Sequence, residues 1–258
     1  MPSQRVNFEN ESGIQLSGIV DLPESEPHAF ALFAHCFTCT KDLKAIVRIS
    51  RGLAKQGIGV LRFDFTGLGG SQGDFSQSNF ETNLADIQAA TQWLAKTHQS
   101  PQLLIGHSLG GAAMMASAGS IASARSIVTL AAPSCTKHLA AFLLRTNPAI
   151  ESEGVGDVTI GGRAHTVRQQ LIDSLKNRDL RSSIEQISIP HLILHSPVDE
   201  TLSFRHAEEI FAWTGGEKSL ITLVGSDHLL VKQPGDVGYV TSLITAWSAP
   251  FLNSAELC

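Results

Sequence analysis

The sequence is organised around one stretch, Leu103-Leu104-Ile105-Gly106-His107-Ser108-Leu109-Gly110-Gly111-Ala112-Ala113. Its apolar start predicts a short strand, its centre a sharp turn that carries Ser108, and its small residues the start of a helix. The centre has the form Gly-x-Ser-x-Gly, which is typical of a serine whose hydroxyl projects above a sheet at a strand-to-helix turn. Such a turn strains the backbone, and side chains two residues before or after the serine would collide with the neighbouring strand and helix. The first N–H groups of the helix would also face any negative charge that develops at Ser108.

Length and composition limit the classes of protein to consider. The 258 residues are 43% hydrophobic and 17% charged, which is the profile of a globular protein with a sizeable core. The net charge of −5 argues against nucleic acid as the main partner, because phosphate binding needs a basic face. The N-terminal residues 1–8 contain no apolar core of signal-peptide length, and no apolar run approaches the length of a membrane span. We therefore expect a soluble, cytoplasmic protein with no membrane partner.

Strand and helix patterns alternate along most of the chain. An antiparallel hairpin is expected from about Val6 to Leu22, followed by about six strands separated by helices. Ser78 and Glu81 have the spacing of a capping box and predict the start of one helix. The pattern predicts an α/β fold with a mostly parallel, twisted sheet that is covered by helices on both faces. The predicted strands besides the one before Ser108 are 29–34, 59–65, 126–131, 189–195 and 219–224, and the predicted helices are about 41–55, 78–98, 112–124, 203–213 and 236–247.

Residues from about 134 to 186 interrupt this alternation. They contain a predicted helix over 139–145, a small hairpin around Gly161-Gly162 and a second helix near 167–176. This segment has too few apolar residues to form a core of its own. We therefore expect a single domain over residues 1–258 with an insertion after the sixth strand. The insertion is expected to form a lid or a pocket wall, with simple surface decoration as the alternative.

Four of the predicted loops after strands carry reactive residue types. These loops contain His35–Thr40, Ser108, Asp199 and His228. Because the carboxyl ends of parallel strands meet at one edge of a sheet, we expect the four loops to lie close together. A serine, a carboxylate and a histidine could then act as nucleophile, orienting acid and base. Glu200 is an alternative to Asp199 as the acid.

Nine other histidines compete with His228 for the role of the base. His107 lies inside the turn and is predicted to be a packing residue. His191 and His195 lie in a strand or at its end, and His35 is expected to be a structural loop residue. Placement after the last predicted strand therefore favours His228.

These motifs resemble the α/β-hydrolase superfamily over essentially the whole length of the chain. Ser108 matches the nucleophile elbow, Asp199 the acid position after the penultimate strand, and His228 the base position after the last strand. More narrowly, the chain resembles the hydrolase half of bacterial fusions between an α/β hydrolase and an OsmC-like domain. The segments that carry this second resemblance are Ala34-His35-Cys36-Phe37-Thr38-Cys39-Thr40-Lys41-Asp42, Arg62-Phe63-Asp64-Phe65-Thr66-Gly67-Leu68-Gly69 and Gly106-His107-Ser108-Leu109-Gly110-Gly111.

The resemblance implies the α/β-hydrolase fold and a serine hydrolase that acts on a small-molecule ester or thioester through an acyl-enzyme. It implies no cofactor and no metal, and an OsmC-like domain is the partner expected in related fused chains. The backbone N–H of Leu109 is expected to bind the oxyanion. By the same resemblance the second donor is the N–H of Phe37, although Cys36 stands where the superfamily's His-Gly-x loop has glycine.

Two other classes of function stay open. A binding module could use the same scaffold, because a fold does not determine function. Cys36 and Cys39 form a Cys-x-x-Cys pair at the start of a predicted helix, which is also the arrangement of a thiol-redox protein. Four cysteines in a chain of this length do not predict a disulfide framework, and no second pair of ligands is spaced for zinc.

Overall fold

The computed structural model of the chain describes residues 2–233 and 235–252. Its strands are β1 (Ser3–Glu9), β2 (Gln15–Asp21), β3 (Ala29–Ala34), β4 (Ile58–Phe63), β5 (Leu103–His107), β6 (Ser126–Leu130), β7 (Val155–Ile160), β8 (Arg163–Arg168), β9 (His191–His195) and β10 (Lys218–Thr222). Its helices are α1 (Lys44–Lys55), α2 (Phe80–Thr97), α3 (Leu109–Ser117), α4 (Lys137–Thr146), α5 (Ala149–Ser152), α6 (Gln169–Asn177), α7 (Leu180–Glu185), α8 (Arg205–Trp213) and α9 (Asp236–Leu252). Two short 3₁₀ turns lie at Phe75–Gln77 and Ala118–Ser120. None of the described helices is long and apolar enough to cross a membrane.

The main sheet has eight strands in the order β1-β2-β4-β3-β5-β6-β9-β10. Strands β1 and β2 pair antiparallel with each other and β2 pairs antiparallel with β4, whereas the remaining pairs of this sheet, β4-β3, β3-β5, β5-β6, β6-β9 and β9-β10, are parallel. The predicted edge hairpin and the mostly parallel sheet are therefore confirmed. The register pairs His107 with Leu130 and His195 with Thr222, so the loops after these strands leave the sheet at one edge.

Alternate residues of the buried strands pack against different helices. In β3, Leu32 belongs to a core cluster with α2, α3 and α8, whereas Phe33 belongs to a cluster with α1 and α9. Every residue of β3, β4, β5, β6 and β9 is buried, as a parallel sheet covered on both faces requires.

The insertion lies between β6 and β9, at the position that the sequence predicts. It consists of α4 to α7 and the antiparallel hairpin of β7 and β8. Its buried apolar residues, including Leu143, Val167 and Leu171, join the core cluster of the α2 and α3 face. The insertion therefore shares the core of the main sheet rather than forming another.

Predicted boundaries of four helices are wrong, and contacts in the structure account for three of them. Helix α1 begins at Lys44 rather than Lys41, because the Lys41 N–H donates to the Asp64 carboxylate instead of entering a helical turn. The capping box of α2 is formed by Asn79 and Thr82, while the expected cap, Ser78, donates to a carbonyl of the preceding 3₁₀ turn.

The third boundary concerns the end of α9, which was expected to come before Pro250. The helix continues through Pro250 to Leu252. The rings of Trp247 and Phe251, one helical turn apart, have centroids 5.0 Å from each other in an edge contact that supports this last turn. Helix α3 also begins directly after Ser108 and ends at Ser117, earlier than the expected 112–124.

Candidate active site

Ser108 occupies the sharp turn between β5 and α3. Its φ of 52° and ψ of −122° place it in a region that non-glycine residues rarely adopt. The turn is held by the Ser108 N–H, which donates to the Leu130 carbonyl of the neighbouring strand at 2.9 Å. The strained backbone turns a half-buried serine outward at the carboxyl edge of the sheet.

The glycines of the turn are required by close backbone contacts. A Cβ on Gly106 would lie 2.5 Å from the Gly110 carbonyl oxygen. A Cβ on Gly110 would lie 2.5 Å from the Ala34 carbonyl oxygen and would collide with that of His35. The expected steric role of glycine two residues before and after Ser108 is therefore confirmed. These contacts also press the first turn of α3 against the loop that follows β3.

A continuous chain of hydrogen bonds joins the three residues nominated from the sequence. Asp199 Oδ2 lies 2.7 Å from His228 Nδ1, and His228 Nε2 lies 3.1 Å from Ser108 Oγ. A carboxylate can only accept, so His228 carries its proton on Nδ1, and Nε2 is free to accept from the serine hydroxyl. Glu200 does not take part, because its carboxylate is 87% exposed and lies 3.8 Å from Lys232 Nζ.

The two oxygens of Asp199 have different partners. Oδ1 accepts from the N–H groups of Thr201 and Leu202 at 2.8 and 2.9 Å, which leaves Oδ2 for His228. Burial alone would raise the pKa of this carboxyl, but the hydrogen bond and charge of His228 and the two backbone donors outweigh it and lower the pKa. Asp199 therefore stays ionised near neutral pH with its lone pairs directed by its own loop.

The loop that carries His228 is shaped by the residue before it. Asp227 Oδ1 accepts from the N–H groups of Val231 and Lys232 at 2.9 and 2.7 Å, and Oδ2 accepts from Leu229 at 3.2 Å. Burial opposes ionisation of Asp227, but these backbone donors dominate and lower its pKa. An ionised Asp227 thus folds the chain back on itself just after the histidine.

His107 has a role that the sequence did not reveal. Its Nε2 lies 2.8 Å from the carbonyl oxygen of His228, and the two rings lie 5.2 Å apart between centroids. Burial lowers the pKa of His107 to about 3, so the ring is neutral and its Nε2–H donates to the carbonyl. His107 is buried, as a packing residue would be, but it also makes this hydrogen bond, which joins residues 121 positions apart that no local pattern connects.

The loop after β3 is anchored on both sides of the expected oxyanion donor. His35 is 1% exposed, accepts the Phe65 N–H at Nε2 at 3.2 Å and donates from Nδ1 to the Cys36 carbonyl at 2.8 Å. Burial lowers the pKa of His35, which keeps this arrangement neutral. Lys41 donates from its backbone N–H and from Nζ to the two oxygens of the fully buried Asp64, each at 2.6 Å.

Between these two anchors, Cys36 and Cys39 are joined by a disulfide with their Cα atoms 5.3 Å apart. Cys36 is buried and Cys39 is half-buried. The sequence suggested a thiol-redox pair as an alternative function, and the structure now shows the two cysteines bonded to each other. Cys135 is a free, partly exposed thiol, and Cys258 lies outside the described residues.

Both expected oxyanion donors border the same small apolar cavity. Phe37 and Leu109 line a space of about 10 Å³ together with Leu171 and Leu175 of the insertion. Because Leu109 is the first residue of α3, its N–H has no acceptor within the helix. A larger, open and more polar groove of about 480 Å³ begins at Thr38 on the same loop and extends to the β7–β8 hairpin.

Other histidines expected to be structural are held by defined partners. His191 is fully buried between Thr129 and Thr214, at 2.9 and 3.1 Å, and burial lowers its pKa to about 3. His195 Nε2 lies 3.0 Å from the Leu202 carbonyl and 3.5 Å from Asp199 Oδ2. His195 therefore lies near the same carboxylate oxygen that contacts His228. Among the described residues, no group of three or more His, Cys, Asp or Glu side chains could hold a metal ion.

Comparison with known proteins agrees with this geometry. A family model described as serine aminopeptidase, S33, matches residues 26–159. The chain belongs to the α/β-hydrolase superfamily. An esterase domain from Rhodothermus marinus is 36% identical to this hydrolase, with a TM-score of 0.80, over 98% of this chain and 100% of that one. A search of curated proteins finds no match.

More distant structures share the fold of this hydrolase. Est1E from Butyrivibrio proteoclasticus, with ferulic acid bound, is 20% identical over 96% of this chain and 99% of that one, with a TM-score of 0.82. Alpha/beta hydrolase domain-containing protein 10 from mouse is 16% identical over 96% and 99% of the two chains, with a TM-score of 0.75. At these identities the likeness concerns the α/β-hydrolase fold alone, and the predicted fold class is confirmed.

Proposed function

We propose that this hydrolase is a serine esterase that cleaves an ester or thioester through a covalent acyl-enzyme. The observation that carries the proposal is the hydrogen-bonded chain from Asp199 Oδ2 through His228 to Ser108 Oγ, with distances of 2.7 and 3.1 Å. A serine hydroxyl is a weak nucleophile until an adjacent base accepts its proton. The chain supplies that base and an anion that fixes its tautomer.

In the first half of the reaction, Ser108 Oγ attacks the carbonyl carbon of the ester and His228 Nε2 takes the hydroxyl proton. Asp199 stabilises the imidazolium that forms. The tetrahedral oxyanion accepts hydrogen bonds from the backbone N–H groups of Leu109 and Phe37. The C–O or C–S bond to the leaving group then breaks, and the leaving alcohol or thiol takes the proton from His228.

In the second half, water replaces the leaving group. His228 Nε2 takes a proton from the water, whose oxygen attacks the acyl carbon, and the same two N–H groups stabilise the second oxyanion. Breaking the bond to Ser108 releases the carboxylic acid and returns the proton to the serine. The cycle balances without a cofactor or metal.

The shape of the site supports a small acyl group. The apolar cavity beside Phe37 and Leu109 has a volume of about 10 Å³, which is about the space that one water-sized group requires. Leu171 and Leu175 close it from the insertion, which supports the proposed role of the insertion as a pocket wall. The R. marinus relative is described as an esterase domain, and its 36% identity favours ester over amide cleavage here.

Fluorophosphonate labelling and ester hydrolysis test the proposal. The native protein should be labelled and should hydrolyse 4-nitrophenyl acetate faster than longer esters or the matching anilide. Ser108→Ala should abolish labelling and lower kcat at least about 10³-fold. Ser134→Ala is the matched control: Ser134 is buried and bonded to His206 and Glu209, so its loss should leave labelling intact.

Two results would overturn the proposal. One is a native protein that takes up no probe, and the other is a Ser108→Ala variant that keeps its esterase activity. Binding of an ester with no turnover across the panel would instead favour the binding-module alternative. The similarity to hydrolases fused to OsmC-like domains, the single-domain organisation and the cytoplasmic location stay predictions from the sequence.

A further inference from the structure

The Cys36–Cys39 disulfide encloses the segment that carries one proposed oxyanion donor. The bond closes a ring over four residues, and Phe37 is one of the two residues inside it. The ring is also a tight turn, because the Cys39 N–H donates to the Cys36 carbonyl at 3.2 Å. The direction of the Phe37 N–H is therefore set by a backbone that is both hydrogen-bonded and covalently closed.

The backbone conformation inside the ring is unfavourable, so we expect an open chain to relax out of it. Thr38 has a φ of 56°, in the left-handed region that is unfavourable for a non-glycine residue. Its hydroxyl donates to the Phe37 carbonyl at 2.7 Å, which constrains the peptide unit between Phe37 and Thr38. A single turn hydrogen bond contributes little net stability, because the same groups bind water when it breaks. Once the disulfide opens, that bond alone does not hold Thr38 in place.

The anchors outside the ring do not replace the disulfide. His35 and Lys41 fix the two ends of the loop through Phe65 and Asp64. Five residues separate these anchors, and no described hydrogen bond joins Phe37 or Thr38 to the sheet. His35 Nδ1 also donates to the Cys36 carbonyl at 2.8 Å, so the start of the ring is held from outside it, whereas the turn through Thr38 to Cys39 depends on the covalent ring.

We propose that the Cys36–Cys39 disulfide is a positioning element for the Phe37 N–H, and that its reduction lowers the rate of ester cleavage by displacing this donor. The inference rests on the proposed function. Cys36 and Cys39 act through the backbone and touch no reacting atom, so they are positioning residues rather than catalytic ones. Esterase activity would then depend on the oxidation state of the surroundings.

The reductant is a small dithiol, and the exchange balances in atoms and electrons. One thiolate of the dithiol attacks the sulfur of Cys39, which is more exposed than Cys36, and the Cys36 sulfur leaves and takes up a proton. The second thiol of the reagent then attacks the mixed disulfide and releases Cys39. The protein gains two electrons and two protons, and the dithiol becomes a cyclic disulfide.

Reversible reduction of the whole protein tests the inference. The oxidised protein and protein treated with dithiothreitol are compared with 4-nitrophenyl acetate, after the reagent is removed under nitrogen because free thiols cleave this ester. Thiol titration should show two new thiols. We expect kcat to fall at least tenfold with a smaller change in KM, since loss of an oxyanion donor costs about 10²–10³ in kcat. Reoxidation should restore kcat.

Two variants serve as matched controls. Cys36→Ser/Cys39→Ser should have the low kcat of the reduced protein and should not respond to the dithiol. Cys135→Ala removes the free thiol at another loop and should respond as the native protein does. Melting curves establish that assays are made well below unfolding, because a merely structural disulfide would lower the melting temperature and leave kcat at 25 °C unchanged.

The possible outcomes separate this inference from the proposed function. Equal kcat in the oxidised and reduced states, or a double serine variant within twofold of the native kcat, overturns the positioning role alone. If the double variant does not fold, the reduction and reoxidation of the native protein decide. An oxidised native protein with no esterase activity overturns the proposed function and this inference with it.

Discussion

Replacing His107 by leucine removes the N–H that holds the carbonyl oxygen of His228 while keeping a side chain of similar volume. The Nε2 of His107 lies 2.8 Å from that carbonyl oxygen, and the His107 side chain is only 3% exposed. No water can therefore reach the carbonyl from this side to replace the lost donor. His107→Gln is the matched variant, because its amide N–H can occupy the place of Nε2–H.

The size of the effect follows from the unsatisfied carbonyl. A buried acceptor left without a partner costs about 1–3 kcal/mol. If the His228 loop moves to recover a hydrogen bond, the catalytic geometry is lost at a cost of this size, and kcat/KM falls by about 5- to 150-fold. If the loop instead stays in place, the unpaired carbonyl lowers the free energy of unfolding by this amount. The melting temperature then falls by roughly 2–4 °C for each kcal/mol in a protein of this size.

The assay measures kcat, KM and the melting temperature of both variants from pH 6 to 9. We expect His107→Leu to lose activity, stability or both by the amounts above, and His107→Gln to recover most of the loss. The shape of the pH profile should not change, because His107 has a pKa of about 3 and does not titrate in this range. A leucine variant with native kcat and stability, or a glutamine variant that is as impaired as leucine, would refute the reasoning.

Two further predictions concern the first turn of α3 and the buried imidazoles. Gly110→Ala should lower kcat at least about tenfold, because its Cβ would lie 2.5 Å from the Ala34 carbonyl and displace the loop after β3. Gly119→Ala is the control and should leave kcat unchanged, because its Cβ would meet no atom within 4 Å. Lowering the pH from 7 to 5 should reduce the free energy of unfolding by about 2 kcal/mol for each of His107 and His191. Burial lowers the pKa of both folded imidazoles to about 3, whereas the unfolded imidazoles take up a proton near pH 6.5. The unfolded state therefore binds more protons, and stability decreases as the pH is lowered from 7 to 5. Urea denaturation should show that the free energy of unfolding falls between pH 7 and pH 5 by about 2 kcal/mol less for His191→Gln than for the native protein. Equal losses in the two proteins would contradict the assignment of this pH dependence to His191.

The sequence predicts the layout of the sheet well because local pattern and topology agree there. Continuous apolar runs such as 29–34 are buried on both faces, and parallel strands bring the loops that follow them to one edge. This is why Ser108, Asp199 and His228 could be nominated in chain order, and why they lie within hydrogen-bonding distance in the structure. The glycines two residues before and after Ser108 are likewise explained by close backbone contacts, which leave no room for a side chain.

Features that depend on contacts between distant segments could not be predicted. The start of α1 is decided by Asp64, which lies 23 residues beyond Lys41 and captures its N–H. The hydrogen bond of His107 to the His228 carbonyl depends on the relative placement of two loops, which no periodicity encodes. The spacing of Cys36 and Cys39 suggested a thiol pair, but only the shape of the loop determines whether the pair can close on itself.

The buried imidazoles of His35, His107 and His195 around the site are neutral, which bears on the proposed reaction. His228 must become positively charged beside Asp199, and a second cation nearby would oppose this. His107 has its ring centroid 5.2 Å from that of His228, and His195 lies 3.5 Å from Asp199. At 5 Å and an effective dielectric constant of 20, two positive charges repel by about 3 kcal/mol, which corresponds to roughly a hundredfold in rate.

Burial removes this conflict by lowering the pKa of His35, His107 and His195, so that each donates hydrogen bonds as a neutral ring. A lysine or arginine at position 107 could donate to the same carbonyl but would bring its charge with it. Neutral histidines therefore provide the orientation that the site requires without the like charge that would hinder proton transfer to His228. The acid sensitivity predicted for His107 follows from the same burial that keeps it neutral beside the catalytic base.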